Sequence, residues 1–379
     1  ISNNVYYDKE NIIAVYIVTD EWEGWWYQGG GIYRNVHLTI TDPVAIDLWG
    51  VYAPYEKLDD NNWKINFETT VVNDCYENSS VSLKSFVLDK DGSCVATAEG
   101  SGVITSREKA TIEYNCVVAN PLLWDCDNPN LYTIKTLLYK DGEEIDYNFT
   151  RIGFRTVEFI AEKGFLLNGK KTFIKGLCAH QDFGLTGLAV PENIAKYKVG
   201  LMKEMGANGY RTSHYQQTTA YMDAFDEMGF LVMDEARWFE STKESFEQIE
   251  SLVKRDRNRP SVIFWSTSNE EPNHITDVGK RIHRAVSEHI RKFDYTRPIT
   301  AAEDKTPEKS TIYGDCDVVG INYNHTEYDT LHARYPDLAL LATESASVVN
   351  RTSWNEAHEE SWLAVRDREF VAGTFVWSA

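Results

Sequence analysis

The sequence contains few basic residues for its length, and that shortage excludes two classes of partner. Of 379 residues, 38 are Lys or Arg and 58 are Asp or Glu, so the formal net charge is −20. Nucleic acids and anionic membrane surfaces are bound through patches of positive charge. No apolar run approaches the length needed to span a bilayer. We therefore expect no nucleic-acid partner and no membrane segment.

Cysteine is scarce as well, and its spacing argues against common metal sites. The six cysteines form no Cys-x-x-Cys pair and have no histidine at the spacing of a zinc site. Buried free thiols are the favoured state, with disulfides as the alternative. No signal peptide is recognisable at Ile1, and we expect the natural N-terminus to lie upstream. The sequence leaves open whether the compartment is cytoplasmic or periplasmic/secreted, and whether the chain forms a homo-oligomer.

Strand-like patterns dominate the first part of the chain. Its length exceeds what one ordinary core supports, so two or three domains are expected. Apolar runs at 12–18 and 32–40 predict trailing strands of an incomplete β-sandwich (jelly-roll) within residues 1–43. Residues 44–152 alternate apolar and polar side chains in short runs separated by turns. This pattern predicts an immunoglobulin-like β-sandwich.

Beyond residue 152 strand-like runs alternate with helical stretches, which is typical of a parallel β/α fold. Eight such runs predict a TIM (β/α)8 barrel over residues 153–379, ending before its last helix. Little helix is predicted in 311–343 or in the connection after Ser345. The predicted strands are 172–177, 208–212, 230–234, 261–267, 299–302, 317–321, 338–343 and 373–377, and the clearest helices are 193–205, 220–228, 244–257 and 277–293.

Polar side chains follow most of the predicted barrel strands. In a TIM barrel these positions line one cleft, which is where catalysis occurs. A single polar residue there has a bland explanation, such as a strand cap or an ion-pair partner, but coincidence at seven of eight strand ends is much harder to explain. In chain order the residues are His180 and Asp182, Ser213 and His214, Asp234 and Glu235, Asn269 and Glu270, Asn322 and Tyr323, Glu344, and Trp377.

Two glutamates in this set suggest the chemistry. Glu270 follows the fourth predicted strand and Glu344 follows the seventh, so their side chains are expected to converge across the barrel mouth. Two facing carboxyl groups are the minimum equipment for hydrolysing a glycosidic bond with retention, one as nucleophile and one as an acid of raised pKa. Glu271 is an alternative to Glu270, because spacing alone does not say which of the two faces the cleft.

The remaining strand-end residues are suited to hold a sugar. His180, His214 and Asn269 are candidates for hydrogen bonds to sugar hydroxyls, and Trp377 for the floor beneath the ring. Tyr323 is placed to hold an ionised nucleophile by a hydrogen bond. The predicted partner is therefore a carbohydrate substrate.

Segment 255–270, which runs from Arg-Asp-Arg-Asn-Arg-Pro to Ser-Asn-Glu, closely resembles the acid/base signature of glycoside hydrolase family 2. That family includes β-galactosidases, β-glucuronidases and β-mannosidases. Further motifs follow the family's order over nearly the whole chain, at 26–36, 153–155, 167–170, 175–176, 211–215, 343–345 and 373–377.

The resemblance implies a role for each matching residue. Glu270 is implied as acid/base and Glu344 as nucleophile, and the sugar subsite is implied to contain His180, Asp182, His214, Asn269, Tyr323 and Trp377. Segments 23–27 and 179–182 are most similar to bacterial members called β-galactosidases. Some of these hold magnesium after the third strand, where residues 237–239 depart from the pattern. We therefore expect no metal and no cofactor.

The sequence as a whole predicts a retaining exo-β-glycosidase that hydrolyses terminal β-D-galactosides by double displacement. One alternative keeps the fold and mechanism with β-glucuronidase or β-mannosidase specificity. Another is a non-catalytic, carbohydrate-binding relative. The presence of Asn269 and Tyr323 beside both glutamates argues against the second alternative.

Overall fold

A computed structural model describes residues 4–18, 31–236, 238–347 and 354–378. The strands predicted at 12–18 and 32–40 are wrong, because the described residues before Val44 form no strand. Their apolar side chains are largely exposed, Ile13 at 76 % and Ile40 at 85 %. Among the described residues no further sheet covers these two runs, and two short strands alone gain too little burial to be stable. The sequence also predicts a Gly-rich turn at 29–31 between them, of which residues 29 and 30 lie outside the described residues.

The first folded domain is a β-sandwich, as predicted. Its strands pair antiparallel in two sheets, one with β3 between β1 and β2 and with β6 also on β3, the other in the order β5-β4-β7-β8. Alternate side chains along β3 are buried, as expected for a sheet with one face on a core. The strands are β1 (Val44–Tyr52), β2 (Tyr55–Lys57), β3 (Asn62–Asn73), β4 (Ser79–Leu88), β5 (Cys94–Ile104), β6 (Lys109–Ala119), β7 (Tyr132–Lys140) and β8 (Glu143–Ile152).

Polar contacts that are mostly buried fasten the sandwich to the domain that follows. The Tyr52 hydroxyl donates to Asp294 Oδ1 at 2.8 Å, and the Trp124 indole N–H donates to the carbonyl of Asp226 at 2.9 Å. Asn258 pairs its amide with the backbone of β1, donating to the Val51 carbonyl and accepting from the Ala53 N–H. Each buried polar group is thereby satisfied, and the seam holds the two domains in one orientation.

The second domain is a closed barrel of eight parallel strands, as predicted. A small antiparallel sheet precedes it, formed by β9 (Val157–Ile160), β10 (Gly164–Leu167) and β11 (Lys170–Lys171). The barrel order is β16-β15-β14-β13-β12-β19-β18-β17, and a parallel bridge from Glu303 to Ile321 closes the ring. The strands are β12 (Ile174–Cys178), β13 (Gly209–Arg211), β14 (Leu231–Glu235), β15 (Val262–Asn269), β16 (Ile299–Ala302), β17 (Val318–Asn322), β18 (Ala339–Ser345) and β19 (Val371–Trp377).

In the described residues the outer layer contains the four predicted helices and two that were not predicted. Between β16 and β18 helix is sparse, as expected, with only α5 and short 3₁₀ turns in the described residues. The connection after Ser345 was wrongly expected to be poor in helix, since α6 lies there. The helices are α1 (Glu192–Glu204), α2 (Thr219–Met228), α3 (Lys243–Asp256), α4 (Asp277–Arg291), α5 (Tyr328–Arg334) and α6 (Trp354–Arg366). Within the described ranges, no helix has both the length and the apolar character of a bilayer-crossing segment.

The barrel interior is apolar at one end and polar at the other. Phe165, Phe264 and Phe375 fill the end where the strands begin, together with Met233. Gly176 is required there, because a Cβ at that position would lie 2.1 Å from the ring of Phe375. The end where the strands finish instead buries charged side chains, which the next subsection describes.

Candidate active site

Glu270 and Glu344 meet at the polar end of the barrel, as predicted. Glu270 directly follows β15 and Glu344 is the sixth residue of β18. The Asn322 side-chain amide nitrogen lies 2.9 Å from Glu270 Oε1 and 3.4 Å from Glu344 Oε2. Because one nitrogen atom reaches both, those two oxygens are at most about 6.3 Å apart, just under the ~6.5 Å at which the carboxyl separation of inverting glycosidases begins.

Irregular strand pairing aims these side chains. The register of β15 against β16 shifts between Ser266 and Asn269, and that of β17 against β18 shifts between Ile321 and Asn322. Such bulges redirect side chains at strand ends. As a result Ser266 and Asn269, three residues apart, both point into the polar cluster, Ser266 donating to Glu235 and Asn269 accepting from Arg211.

The Glu344 carboxylate is enclosed by donors. Arg211 Nη1 donates to its Oε2 at 2.8 Å, and the Tyr323 hydroxyl donates to its Oε1. The Tyr323 backbone N–H also donates to the Glu344 carbonyl at 2.7 Å, which fixes the two residues together. Burial, and then the charge of Glu344, raise the pKa of Tyr323, so the phenol keeps the proton that it donates.

Glu270 has very different surroundings. The described residues give its carboxyl group one hydrogen-bond donor, the amide of Asn322. Burial, with added repulsion from Glu344 and Asp304, raises the pKa of Glu270 to about 7. Its φ of 52° lies in the left-handed region, and its backbone N–H donates to the Ala302 carbonyl at 2.8 Å. A non-glycine residue held there is a strained position of the kind that clusters at functional sites.

An arginine–glutamate pair forms the centre of the cluster. Its glutamate was expected to line the cleft but had no predicted role, and its arginine was not singled out. Arg211 ends β13 and Glu235 ends β14, both are fully buried, and the guanidinium binds the carboxylate through Nε and Nη2 at 2.9–3.0 Å. Burial would lower the pKa of Arg211, but Glu235 and Glu344 outweigh it and raise that pKa. Burial would raise the pKa of Glu235, but Arg211 and His214 lower it. A permanent positive charge therefore lies beside Glu344.

The two predicted histidines and Trp377 form an aromatic wall. The ring of His214 stacks on Trp377, with centroids 5.3 Å apart and 13° between planes. His180 packs edge-on against both, at 5.8 Å from His214 and 5.6 Å from Trp377. His214 Nδ1 lies 2.8 Å from Glu235 Oε1, and because a carboxylate only accepts, the Nδ1 proton points to it.

Asn269 belongs to the cluster, whereas Asp182 makes no hydrogen bond to it. Asn269 Oδ1 accepts from Arg211 at 2.7 Å and from Asn322 at 3.0 Å, so its oxygen faces the protein and its NH₂ group is oriented towards the cleft. Asp182 is half-buried in the loop after β12, where Lys198 holds its carbonyl at 3.4 Å. Its carboxylate makes no hydrogen bond to any residue in the described ranges.

A cavity of about 510 Å³ adjoins the cluster on the side of β13 and β14. Residues 31–36 form one wall, and Tyr215, Glu235 and Trp238 contribute to the others. Arg34 ties that wall to the barrel by donating to Gln181 Oε1 at 3.2 Å. The segment before the sandwich therefore reaches the barrel mouth, although it forms no strand in its described residues.

Among the residues that the structure describes, no group of three or more His, Cys, Asp or Glu side chains is arranged to hold a metal ion. Of the segment 237–239, on which the expectation of metal independence rests, Arg237 lies outside the described residues. That expectation stays a prediction. All six cysteines are free thiols, as favoured from the sequence, but only Cys116, Cys178 and Cys316 are buried, and Cys94 is exposed.

The fold agrees with comparisons to known proteins. Residues 46–155 match the family model "Glycosyl hydrolases family 2", and residues 159–346 match "Glycosyl hydrolases family 2, TIM barrel domain". The chain belongs to glycoside hydrolase family 2. The two matches place the sandwich domain before the barrel domain, which is the order in the structure.

Named relatives carry two different activities in their names. The chain is 30 % identical to the β-galactosidase BoGH2A of Bacteroides ovatus over 98 % of its own length and 53 % of that protein, and 28 % identical to a β-glucuronidase of Bacteroides fragilis over 92 % and 56 %. A crystal structure of a family 2 member from Bacteroides cellulosilyticus superposes with a TM-score of 0.87 at 33 % identity, covering 93 % of this chain and 46 % of that one. The chain thus spans about half the length of these relatives.

Proposed function

We propose that this family 2 chain carries the catalytic centre of a retaining exo-β-glycosidase that acts on terminal β-D-galactosides. The observation that carries the proposal is the pairing of Glu270 and Glu344 on one Asn322 amide nitrogen. The short separation suits direct attack by one carboxylate, and the unequal surroundings suit two different roles.

In the first step Glu344 acts as nucleophile and Glu270 as acid. A carboxylate oxygen of Glu344 bonds to the anomeric carbon while the glycosidic C–O bond breaks, and Glu270 gives its proton to the departing oxygen. The Arg211 guanidinium and the Tyr323 hydroxyl both donate hydrogen bonds to the Glu344 carboxylate and hold it in place for attack. The pKa of Glu270 is raised to about 7 by burial and by Glu344, so about half of this acid carries its proton at pH 7 and more of it does at lower pH.

In the second step Glu270 acts as a base instead of an acid. Its carboxylate takes a proton from water as the water oxygen attacks the anomeric carbon, and the bond to Glu344 breaks. Glu344 leaves as a carboxylate and Glu270 again carries a proton, so both groups return to their starting states. Two inversions at one carbon return the sugar with its original β-configuration.

The sugar subsite is assigned to the residues around the pair. The oriented NH₂ group of Asn269 is suited to a hydroxyl beside the reacting carbon, where a hydrogen bond strengthens in the transition state. His180, His214 and Trp377 supply one wall, and Trp377 an aromatic surface for the ring. Asp182 is assigned a more distant hydroxyl.

The choice of a neutral sugar rests on charge. A β-glucuronide carries a carboxylate, which needs a cation in its pocket. Arg211, the cation in the cluster, is occupied by Glu235 and Glu344 and is fully buried. The β-galactosidase name of the Bacteroides ovatus relative supports the same choice, and the β-glucuronidase of Bacteroides fragilis makes β-glucuronides the second candidate.

The test is hydrolysis of chromogenic β-galactoside, β-glucuronide and β-mannoside by the intact protein that contains this chain. We expect the β-galactoside to be cleaved with the highest kcat/KM. Preference for another of the three sugars would replace the substrate assignment. Failure to cleave any of them would favour the non-catalytic, carbohydrate-binding alternative.

The covalent step has its own test. A 2-deoxy-2-fluoro-β-galactoside with a good leaving group should inactivate the protein and add one fluorosugar to the peptide that contains Glu344. Labelling of Glu270 or Glu271 instead would overturn the assignment of the nucleophile.

A further inference from the structure

A second polar cluster lies beneath the loop that holds Glu270. Ser268 Oγ and His274 Nε2 are 2.9 Å apart, and His274 Nδ1 lies 3.2 Å from Glu303 Oε2. The order Ser, His, Glu and these distances are those of a nucleophilic triad. All three side chains are at most 1 % exposed, however, so no substrate reaches the serine.

Two members of the cluster lie on either side of Glu270 in the sequence, and the third follows the neighbouring barrel strand. Ser268 precedes Glu270 by two residues at the end of β15, and His274 follows it in the 3₁₀ helix Pro272–Ile275. The His274 ring therefore ties the two sides of the turn that carries Glu270 to each other. Glu303 stands just after β16, so the turn is also tied to the neighbouring strand.

Glu303 is itself anchored, and it reaches the other partner of Glu270. Ser310 Oγ donates to its Oε2 at 2.7 Å and the Lys305 N–H to its Oε1 at 3.0 Å. Its backbone carbonyl accepts from the N–H of Asn322 at 2.7 Å, and Asn322 is the residue whose amide binds both site glutamates. Glu303 thus contacts the Glu270 turn through His274, and its backbone carbonyl holds Asn322, the residue that supplies the amide donor.

Charge gives the cluster a defined direction. Burial would raise the pKa of Glu303, but His274, Ser310 and the Lys305 N–H lower it, so the carboxylate is ionised. His274 Nδ1 lies within ion-pair distance of this carboxylate, although the contact lacks hydrogen-bond geometry. Because a carboxylate can only accept, the contact favours the imidazole tautomer with its proton on Nδ1. In that tautomer Nε2 is an acceptor, and the Ser268 hydroxyl donates to it.

We propose that Ser268, His274 and Glu303 form a buried positioning network that holds Glu270 in its strained backbone conformation, with the carboxyl group aimed at the leaving-group oxygen. The proposal rests on the acid/base role of Glu270 in the proposed function. None of the three residues touches the substrate. Their effect on the rate passes through proton donation by Glu270, which is the step most sensitive to a small displacement of the acid.

The test uses the leaving group to isolate that step. Aryl β-glycosides with a poor leaving group, such as 4-methoxyphenolate, need protonation, whereas 2,4-dinitrophenolate departs without it. We expect E303Q to lower kcat/KM about tenfold or more on the poor leaving group and no more than about threefold on 2,4-dinitrophenyl glycoside. S268A, which removes one hydroxyl and no charge, should show the same dependence to a smaller extent.

His283 provides a matched control. It is also a fully buried histidine against the same strand, with Nδ1 3.0 Å from Thr267 Oγ1, but it lies on α4 and outside the Glu270 turn. We expect H283Q to change kcat/KM equally on both substrates. If E303Q and S268A also change both equally, or change neither, the network does not position the acid and the proposal is wrong.

The variant E270Q separates this failure from a failure of the proposed function. E270Q should show the strongest dependence on the leaving group. If it shows none, the acid/base assignment itself has failed, and the network proposal with it. If E270Q shows the dependence and both network variants do not, only the network proposal is overturned.

Discussion

The ends of β15 and β18 each carry a glutamate, and the two side chains share one amide donor, yet their surroundings differ sharply. The Glu344 carboxylate accepts hydrogen bonds from the charged Arg211 side chain and the Tyr323 hydroxyl in addition to that amide. Glu270 receives the amide alone from the described residues, and burial raises its pKa to about 7. Proximity therefore does not make the two carboxyl groups equivalent. The number and charge of the hydrogen-bond donors distinguish their surroundings and suit them to different roles.

The difference between the two glutamates arises from the residues that neighbouring barrel strands place around them. Arg211 faces Glu344 because Glu235, on the adjacent strand, holds the rest of the guanidinium in a bidentate contact. Glu235 is in turn fixed by Ser266 at 2.8 Å and His214 at 2.8 Å. The cation is thus immobilised before substrate binds, which removes a reorganisation cost from the reaction.

The largest effect is expected from E344Q. The amide keeps the shape and removes the nucleophile, so kcat should fall by about four to six orders of magnitude on every substrate. Steady-state hydrolysis of aryl β-galactosides measures it, with circular dichroism as the control for folding. A loss of less than a hundredfold would show that Glu344 does not form the covalent bond.

A smaller and more selective effect is expected from E270Q. Removing the acid should cost about 10² to 10⁴ in kcat/KM on poor leaving groups and much less on 2,4-dinitrophenyl glycosides. Because the base for the second step is also lost, added azide should raise turnover and yield the β-glycosyl azide. Absence of azide rescue would contradict the acid/base role of Glu270. Rescue in E271Q instead would assign that role to Glu271.

The pH dependence should reflect the same asymmetry. Glu270 must be protonated to act as acid, and its pKa is raised to about 7, so kcat/KM should fall on the alkaline side of about pH 7. The fall should approach tenfold per pH unit. The profile of E270Q on an activated substrate should lack this limb. A limb that persists in E270Q would assign it to another group.

Much of the barrel was predictable because its strands are buried on both faces. Such strands read as continuous apolar runs, and all eight were found with small differences at their ends. Helix α6 was missed because its buried positions, Ala357, Ser361, Ala364 and Val365, are small or polar and give a weak apolar stripe. The strands at 12–18 and 32–40 were predicted from apolar runs alone, and such runs do not show whether a partner strand is present.

The site was predictable to the extent that it follows from position at strand ends. Position at a strand end put Glu344, Asn269 and Tyr323 in the predicted site, whereas Glu270 was preferred to Glu271 because of the family resemblance. Glu235 and Asn322 were expected at the cleft for the same reason but received no role, and Arg211 was not singled out, since the roles of these three depend on contacts between strands. The bond from Arg211 to Glu344 joins residues 133 positions apart in the chain. The signal that was available for Arg211 was a charged residue ending a strand that is otherwise buried.

The smallest effect is expected from D182N, a third carboxyl group near the barrel mouth. Asp182 lies in the loop after β12, and its carboxylate makes no hydrogen bond with the described part of the chain, unlike those of the two site glutamates. If it binds one sugar hydroxyl, the variant should raise KM by about tenfold or less and leave kcat nearly unchanged. Michaelis–Menten analysis on the β-galactoside measures both. A fall in kcat that depends on the leaving group would instead make Asp182 a proton donor, and Glu270 would lose its assigned role.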